Sequence, residues 1–332
     1  MSTTETDYPQ AGSAGETLAQ RASRLFISVP PEAVLLVVLL AMGGWFWNSS
    51  EVFMTTINMR NVLLSVSVLG ILAAPSTLLL ISGNFDLSIA SNAAMCGVAV
   101  AMVADNHSTA LAIFVAVIAG LLAGALNGLL VSGLGIASII VTLGTFQAYR
   151  GIARLMANGQ TIRLRGEIDF ITDRIIGIPT QVVLFIIITA ITMFIVRYTR
   201  FGRAVYAIGS NLVAARLAGI RQRPTVFVLF LVSGVMAALA GLILASQLDA
   251  ASPNAATGDE LKVVAAVILG GASLSGGRGT IIGTLLGVLI LGVLQNGLTL
   301  LSVTSFWRDV ATGTVLIAAV GLDRVRVMLG GQ

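Results

Sequence analysis

The side chains that usually carry enzymatic chemistry are scarce in this sequence. The chain has one histidine, His107, one lysine, Lys262, and one cysteine, Cys96. A single histidine cannot build a His-based metal cluster and gives no support for a Ser-His-Asp triad. A single cysteine cannot form an internal disulfide bond. We therefore expect no catalytic residue, no bound metal and no cofactor on this chain.

A glycine-rich stretch, Gly270–Gly279, resembles a phosphate-binding loop in composition only. It lacks the lysine that meets the nucleotide phosphates, and it follows an apolar run instead of a strand. The sequence therefore gives no support for a nucleotide site on this chain.

Two charged residues lie in or beside long apolar runs. Asp86 stands in the stretch Ile81–Ala90, where Gly83 and Asn84 would break a helix. A carboxylate at membrane depth is costly and generally faces a cavity or a partner, so Asp86 is either a pathway residue or the cap of the next helix. Arg150 is predicted near the outer end of the fifth apolar span, lining a pathway or extending its side chain to the interface.

The composition identifies the kind of element that must position these residues. Hydrophobic residues make up 56% of the chain, charged residues 10%, and the mean hydropathy is +0.96, which excludes an ordinary soluble domain. A membrane-spanning helix needs about 20 mostly apolar residues. The uncharged runs are Ala33–Ser50, Asn61–Phe85, Leu87–Ala104, Ser108–Tyr149, Ile175–Val196, Thr225–Leu248, Val263–Gly277, Gly279–Trp307 and Val310–Leu322. Because Ser108–Tyr149 is long enough for two helices, we predict an all-α integral membrane protein with about ten transmembrane helices.

The distribution of arginine predicts the orientation. The segment Arg197–Arg223 holds six arginines and no acidic residue, and such segments face the cytoplasm. With ten spans, both termini are then cytoplasmic. The sequence pI of about 9.8 follows from this pattern, so we expect contact with membrane lipid and none with nucleic acid.

The predicted domains follow from the same pattern. Residues 1–30 are polar and form a disordered cytoplasmic tail, residues 31–325 form the transmembrane domain, and residues 326–332 form a cytoplasmic C-terminal tail. Within the transmembrane domain, residues 158–180 form an outer loop of mixed charge and residues 197–223 form the cytoplasmic loop.

A short helix is predicted inside the cytoplasmic loop. Ser210 or Asn211 can cap its N-terminus, Gly219 can end it in a left-handed turn, and the helix covers Leu212–Ala218. A helix of two turns is marginal in water, so it needs a surface to rest on. That surface is either a groove on another protein or the lipid headgroups.

Two glycine ladders are predicted to serve helix packing. Glycines four residues apart flatten one face of a helix and allow close backbone approach in lipid. The ladders are Gly120, Gly124 and Gly128 in one span and Gly279, Gly283 and Gly287 in another.

Over residues 60–323 the sequence resembles the permease subunits of ABC importers for monosaccharides, of the ribose, xylose, arabinose and galactoside type. The stretches that carry the resemblance are Ser82–Ser88, Val141–Thr145, Tyr149–Gly151, Thr199–Arg203, Ala214–Ile220, Leu269–Thr280 and Asn296–Leu298. The resemblance implies an inner-membrane location, a second permease copy or paralogue, cytoplasmic subunits that bind the ATP, and a periplasmic solute-binding protein. It also implies that Ala207–Ile220 is the segment seated on the ATPase.

Site residues follow from this resemblance. The candidates for ATPase coupling are Arg203, Asn211, Ala214, Ala215, Arg216 and Gly219. The candidates for the translocation pathway are Asp86, Ser88, Asn127, Thr142, Thr145, Arg150 and Asn296.

Three alternatives remain open at this point. A branched-chain amino acid permease shares the architecture, although the stretches around Asp86 and Arg278 look more like the sugar type. A self-sufficient secondary transporter or channel usually needs several intramembrane ionisable residues, and only Asp86 and Arg150 are candidates here. The third alternative is a membrane scaffold that transports nothing.

Overall fold

The computed structural model describes residues 30–105, 107–164, 174–175 and 177–330, and within them it contains twelve α-helices. The predicted N-terminal tail lies outside the described residues except for its last residue. The helices are α1 (Pro31–Ser49), α2 (Thr56–Ile81), α3 (Ile89–Ala104), α4 (Thr109–Gly128), α5 (Ser138–Met156), α6 (Thr180–Tyr198), α7 (Arg200–Ser210), α8 (Leu212–Leu217), α9 (Gln222–Gln247), α10 (Asp259–Leu269), α11 (Ile281–Leu300) and α12 (Ser305–Gly330). A π-helical turn, Leu129–Gly133, continues α4.

Six helices of the described part are long and apolar enough to cross a membrane: α1, α2, α4 with its π-helical turn, α6, α9 and α11. Helix α3 is apolar but has 16 residues. Helix α10 has 11 residues, which at 1.5 Å per residue extend over about 16 Å, half of a hydrocarbon core. Helix α12 continues to Gly330, beyond the predicted domain boundary at residue 325.

Four two-residue strands depart from the all-α prediction. Strand β1 (Ile162–Arg163) pairs antiparallel with β4 (Ala250–Ala251), and β2 (Arg174–Ile175) pairs with β3 (Ile178–Pro179). The first pair ties the predicted outer loop 158–180 to the segment that follows α9. Residues 165–173 and 176 of that loop lie outside the described part of the chain.

Helix α9 lies at the centre of the bundle, and glycines let its neighbours approach it closely. A Cβ atom built on Gly120 would stand 2.4 Å from the carbonyl oxygen of Gly234, and one on Gly124 would stand 2.3 Å from that of Phe230. Seven residues beyond Gly234 along α9 and on the same face, a Cβ atom on Gly241 would stand 2.0 Å from the carbonyl oxygen of Ala93 in α3. Since lipid provides no hydrophobic drive between helices, these backbone contacts supply the packing.

The second glycine ladder packs α11 against α10. Cβ atoms on Gly283 and Gly287 would stand 1.9 Å and 2.1 Å from the carbonyl oxygens of Gly270 and Ala266. The prediction that Gly279 belongs to this span is wrong, because α11 begins at Ile281. Thr280 is the N-cap, and its side chain accepts a hydrogen bond from the backbone N–H of Gly283. Gly279 lies in the preceding loop with φ of +148°.

The close contact of α4 with α9 predicts the effect of a single methyl group. We expect Gly234→Ala to lower the free energy of unfolding by about 1–3 kcal/mol, because the new Cβ atom would overlap the Gly120 carbonyl. The measurement is the thermal midpoint of the purified protein in detergent. The matched control is Gly144→Ala in α5, where a Cβ atom meets nothing within 4 Å. Equal thermal midpoints for the two variants would contradict the packing account.

Candidate functional site

A buried carboxylate lies where the chain passes from α2 to α3. Helix α2 ends at Ile81, Gly83 takes a left-handed conformation with φ of +79°, and Asp86 is 6% exposed. One carboxylate oxygen of Asp86 accepts hydrogen bonds from the backbone N–H (3.0 Å) and the hydroxyl (2.6 Å) of Ser88. The other accepts a hydrogen bond from the hydroxyl of Ser233 in α9, at 2.6 Å. Within the described residues Asp86 has no ion-pair partner, so hydroxyl and N–H donors satisfy its charge.

The hydrogen bonds continue from Asp86 into two further helices. The side-chain amide of Asn127, in α4, donates to the Ser88 hydroxyl at 2.8 Å. The hydroxyl of Tyr149, in α5, donates to the carbonyl oxygen of Ala123 at 2.9 Å and lies 3.4 Å from the Asn127 side-chain oxygen. We call Asp86, Ser88, Asn127, Tyr149 and Ser233 the Asp86 cluster. It connects α4, α5 and α9 to the interruption between α2 and α3.

The arginine-rich helix α7 packs against the end of α2, five residues before Asp86. A Cβ atom on Gly209 would stand 1.8 Å from the Ile81 carbonyl oxygen, which accepts a hydrogen bond from the backbone N–H of Gly277 at 2.8 Å. The Tyr206 hydroxyl donates to the Gly279 carbonyl at 2.6 Å, and burial raises the pKa of this phenol. Helix α7, the end of α2 and the loop 270–280 therefore form one packed unit.

The short helix α8 has the ends that the sequence predicts. The side chain of Asn211 accepts a hydrogen bond from the backbone N–H of Ala214 at 3.0 Å, and Gly219 has φ of +77°. The helix ends at Leu217, one residue before the predicted end. Ala215 is buried, whereas Ala214 and Arg203 are exposed.

The outward surface of α8 combines two apolar side chains with a charge. Val213 is 67% and Leu217 is 85% exposed. Arg216 is also exposed, and its guanidinium donates a hydrogen bond to the side-chain oxygen of Gln222 at 2.8 Å. Large apolar side chains exposed on so short a helix are typical of a contact surface.

A cavity of about 500 Å³ separates α8 from the loop that leads to Asp86. Its walls come from the α2–α3 loop, the turn between α4 and α5, and the arginine-rich segment. The lining includes Gly83, Asn84, Phe85, residues 131–139, Arg216, Gln222 and Arg223.

A sequence family described as the permease component of the branched-chain amino acid transport system matches residues 58–320. The ribose import permease protein RbsC of Escherichia coli (strain K12) is 36% identical over 295 residues, which are 87% of this chain and 92% of that protein. The ribose import permease protein RbsC of Bacillus subtilis (strain 168) is 39% identical over 82% of this chain and 86% of its own length. The chain belongs to this family of ABC importer permeases.

The resemblance to permeases of the monosaccharide type is therefore confirmed. The autoinducer 2 import system permease protein LsrC of Escherichia coli (strain K12 / DH10B) is 38% identical over 90% of this chain and 87% of its own length. No solved structure matches the chain. Together with the apolar helices, the family establishes a predominantly helical, multi-pass membrane protein.

The structure of this permease brings some predicted pathway residues together and separates others. Asp86, Ser88 and Asn127 meet in one cluster. Thr142 and Thr145 are buried in α5, where their hydroxyls donate to carbonyl oxygens of their own helix.

Arg150 and Asn296 lie away from the Asp86 cluster. The guanidinium of Arg150 donates to the carbonyl oxygens of Pro253 and Ala255 at 2.9 Å and 2.7 Å. Because Arg150 is 3% exposed, it is fixed to protein and does not extend to an interface. Asn296 exchanges hydrogen bonds with Asn58 at 2.9 Å and 2.8 Å, which joins α11 to α2.

Several polar residues outside the predicted site have defined partners in this permease. Ser233 is 147 residues from Asp86. Gln247 in α9 donates to the side-chain oxygen of Gln181 at 2.7 Å, and Gln295 in α11 donates to the Thr312 hydroxyl at 3.0 Å. A search for isolated serine and amide side chains inside apolar runs would have found them.

The hydrogen bonds of Asp86 predict a transport defect. In Asp86→Ala, the Ser88 and Ser233 hydroxyls lose their buried acceptor, at a cost of about 1–3 kcal/mol for each donor left unpaired. We expect solute uptake to fall by about tenfold or more, since about 1.4 kcal/mol corresponds to a factor of ten in rate, while the protein still assembles. Uptake into cells, normalised to the permease in the membrane, measures this.

The matched control for Asp86 is Asn84→Ala in the same loop. Within the described residues, the Asn84 side-chain amide bonds only to the backbone and side chain of Ser82, at 3.2 Å and 3.0 Å. Uptake at the wild-type rate in Asp86→Ala would show that Asp86 is a dispensable helix cap and has no role in transport.

Proposed function

We propose that this permease forms the translocation pathway of an ATP-driven importer for a monosaccharide or a sugar-like solute. The observation that carries the proposal is the similarity to ribose and autoinducer 2 permeases over 82–90% of the chain. A partner subunit binds ATP, a solute-binding protein delivers the solute, and a second permease copy or paralogue completes the pathway. A branched-chain amino acid as the solute has less support, because those relatives carry sugar or autoinducer names.

The proposed topology has ten crossings, both termini in the cytoplasm and the protein in the inner membrane. Contacts at the two ends of the bundle support spans that alternate in direction across the membrane. At one end the Thr280 hydroxyl donates to Glu32 at 2.9 Å, beside the unit formed by α7 and the end of α2. At the other end Asn58 meets Asn296. Helix α10 and the loop 270–280 together make the eighth crossing.

The proposed coupling starts at α8. The ATPase contacts Val213, Arg216 and Leu217, and its closure moves α8 together with α7. Because Gly209 touches the Ile81 carbonyl, this movement reaches the end of α2 and then the Asp86 loop. The cavity behind Arg216 leaves room for the movement. Rigid-body rocking of packed helices then switches the pathway between outward- and inward-facing states.

The solute-binding protein docks on the opposite face. The outer loop 158–180 is the proposed contact because it is the longest segment between predicted spans on that side. The pair of β1 with β4 anchors its first part to the bundle.

The exposed surface of α8 predicts the outcome of a charge reversal. In Arg216→Glu/Leu217→Glu, the contact surface gains two negative charges and loses an apolar side chain that is 85% exposed. We expect ATP hydrolysis recovered with the affinity-purified permease from native membranes to fall at least about tenfold, as expected when a contact of about 1.4 kcal/mol or more is lost. The thermal midpoint of the permease should not change, because both side chains are exposed.

The matched control is Leu248→Glu, at the opposite end of α9, where the leucine is 66% exposed. It should retain the ATPase. Undiminished ATP hydrolysis with the charge-reversed permease would rule out α8 as the coupling helix.

A further inference from the structure

Two adjoining cavities open at the end of the bundle opposite α8. One, of about 260 Å³, lies between α2, α9, α10 and α11, and the other, of about 490 Å³, lies between α2, α6 and the end of α9. Ser65 and Gln247 line both cavities, so the two cavities adjoin at these residues, and we call them together the outer vestibule. The Asp86 cluster is separate from it, because Gln247 lies 14 residues beyond Ser233 on α9, about 21 Å along the helix axis.

The inner part of the vestibule has polar walls. Ser65 lies nine residues into α2, about 14 Å from the start of that helix. The side chains of Gln247, Lys262 and Gln295 come from α9, α10 and α11. Polar side chains between apolar helices are tolerated where they face a cavity or a solute path.

Internal hydrogen bonds fix the side-chain amides of Gln247 and Gln295 and leave their oxygen atoms available. The Gln247 amide donates to Gln181, and the Gln295 amide donates to Thr312. In the described part of the chain, neither amide oxygen accepts a hydrogen bond from protein. Acceptors that are already oriented bind hydroxyl groups without the entropic cost of ordering their side chains.

The charges of the inner vestibule cancel. Lys262 lies 2.9 Å from Asp259, and both side chains are about a quarter exposed. An uncompensated cation, which an anionic solute or a lipid phosphate needs, is absent from the lining of this inner part. Leu69, Leu244 and Leu291 supply an apolar wall beside these polar groups. A volume of about 260 Å³ is below the roughly 300–1,000 Å³ typical of pockets for drug-sized ligands, so it suits a small solute.

We propose that the inner part of the outer vestibule is a solute-binding site for one neutral, polyhydroxylated molecule, held by hydroxyl contacts to Ser65, Gln247 and Gln295. The proposal rests on the proposed function, because it takes the solute to be a sugar that enters from outside. The apolar wall contacts the C–H face of the solute, and the Lys262–Asp259 pair offers one donor and one acceptor. The vestibule is the first binding site on the pathway, before the solute reaches the level of the Asp86 cluster.

The test is cysteine labelling of the full chain in intact cells. We expect Ser65→Cys to react with a membrane-impermeant, positively charged methanethiosulfonate added outside. The matched control is Leu63→Cys, on the same helix but outside the vestibule lining, which should not react. The wild-type chain is the blank, because its only cysteine, Cys96, is buried.

Sugar protection identifies the ligand class. A mixture of D-ribose, D-xylose and D-galactose should slow the labelling of Ser65→Cys by about tenfold once the bound sugar is at ten times its Kd. L-Leucine should give no protection. Adding Gln295→Leu should leave the labelling rate unchanged and remove the protection, because a hydroxyl acceptor is lost.

Each contrary result has one meaning. No labelling from outside, or labelling without protection by the sugar mixture, overturns the vestibule as a sugar site. Protection by L-leucine alone overturns it and the proposed solute class together. If the sugars fail to protect while the ATPase still co-purifies, the importer function survives and only the vestibule proposal is lost.

Discussion

A membrane interior offers no water to polar groups, and this constraint governs the organisation of the permease. The chain is not helical between Ile81 and Ile89. Without neighbouring helices, the backbone groups and the Asp86 carboxylate of this segment would have no hydrogen-bonding partner in lipid. The surrounding helices supply the missing partners: Ser233 from α9, Asn127 from α4, and the Gly277 backbone N–H from the loop 270–280. Close approach of these elements requires glycine, as at Gly120, Gly234 and Gly209.

The same contacts give the proposed importer a mechanical connection. Helix α7 touches the last carbonyl of α2, and Asp86 lies five residues further along the chain. A displacement of α7 toward α2 would therefore press on the end of that helix, whose last carbonyl also accepts the hydrogen bond from Gly277. Because the Asp86 cluster joins α4, α5 and α9, a shift at this one point is shared by the helices that surround the proposed pathway. The proposed ATPase can in this way act on the pathway from another polypeptide.

Local signals in the sequence predicted local structure well. Asn211 and Gly219 bound α8 because capping and left-handed turns depend on nearby residues. The break before Asp86 followed from Gly83. Long-range partners left no such signal, so Ser233 and the Asn58–Asn296 pair were missed. Helix α10 is short although its apolar run continues, because Gly271, Gly276 and Gly277 take positive φ angles that hydropathy cannot register. The outer vestibule was missed because its residues come from separate spans.

The proposed cytoplasmic position of the arginine-rich segment underlies both the proposed coupling and the proposed direction of transport. The most direct test is Val213→Cys, on the exposed surface of α8, treated with a membrane-impermeant maleimide. The account predicts no labelling in intact cells and full labelling once the membrane is permeabilised. Labelling of Val213→Cys in intact cells would place α8 outside, away from any ATP-driven partner, and would contradict the account.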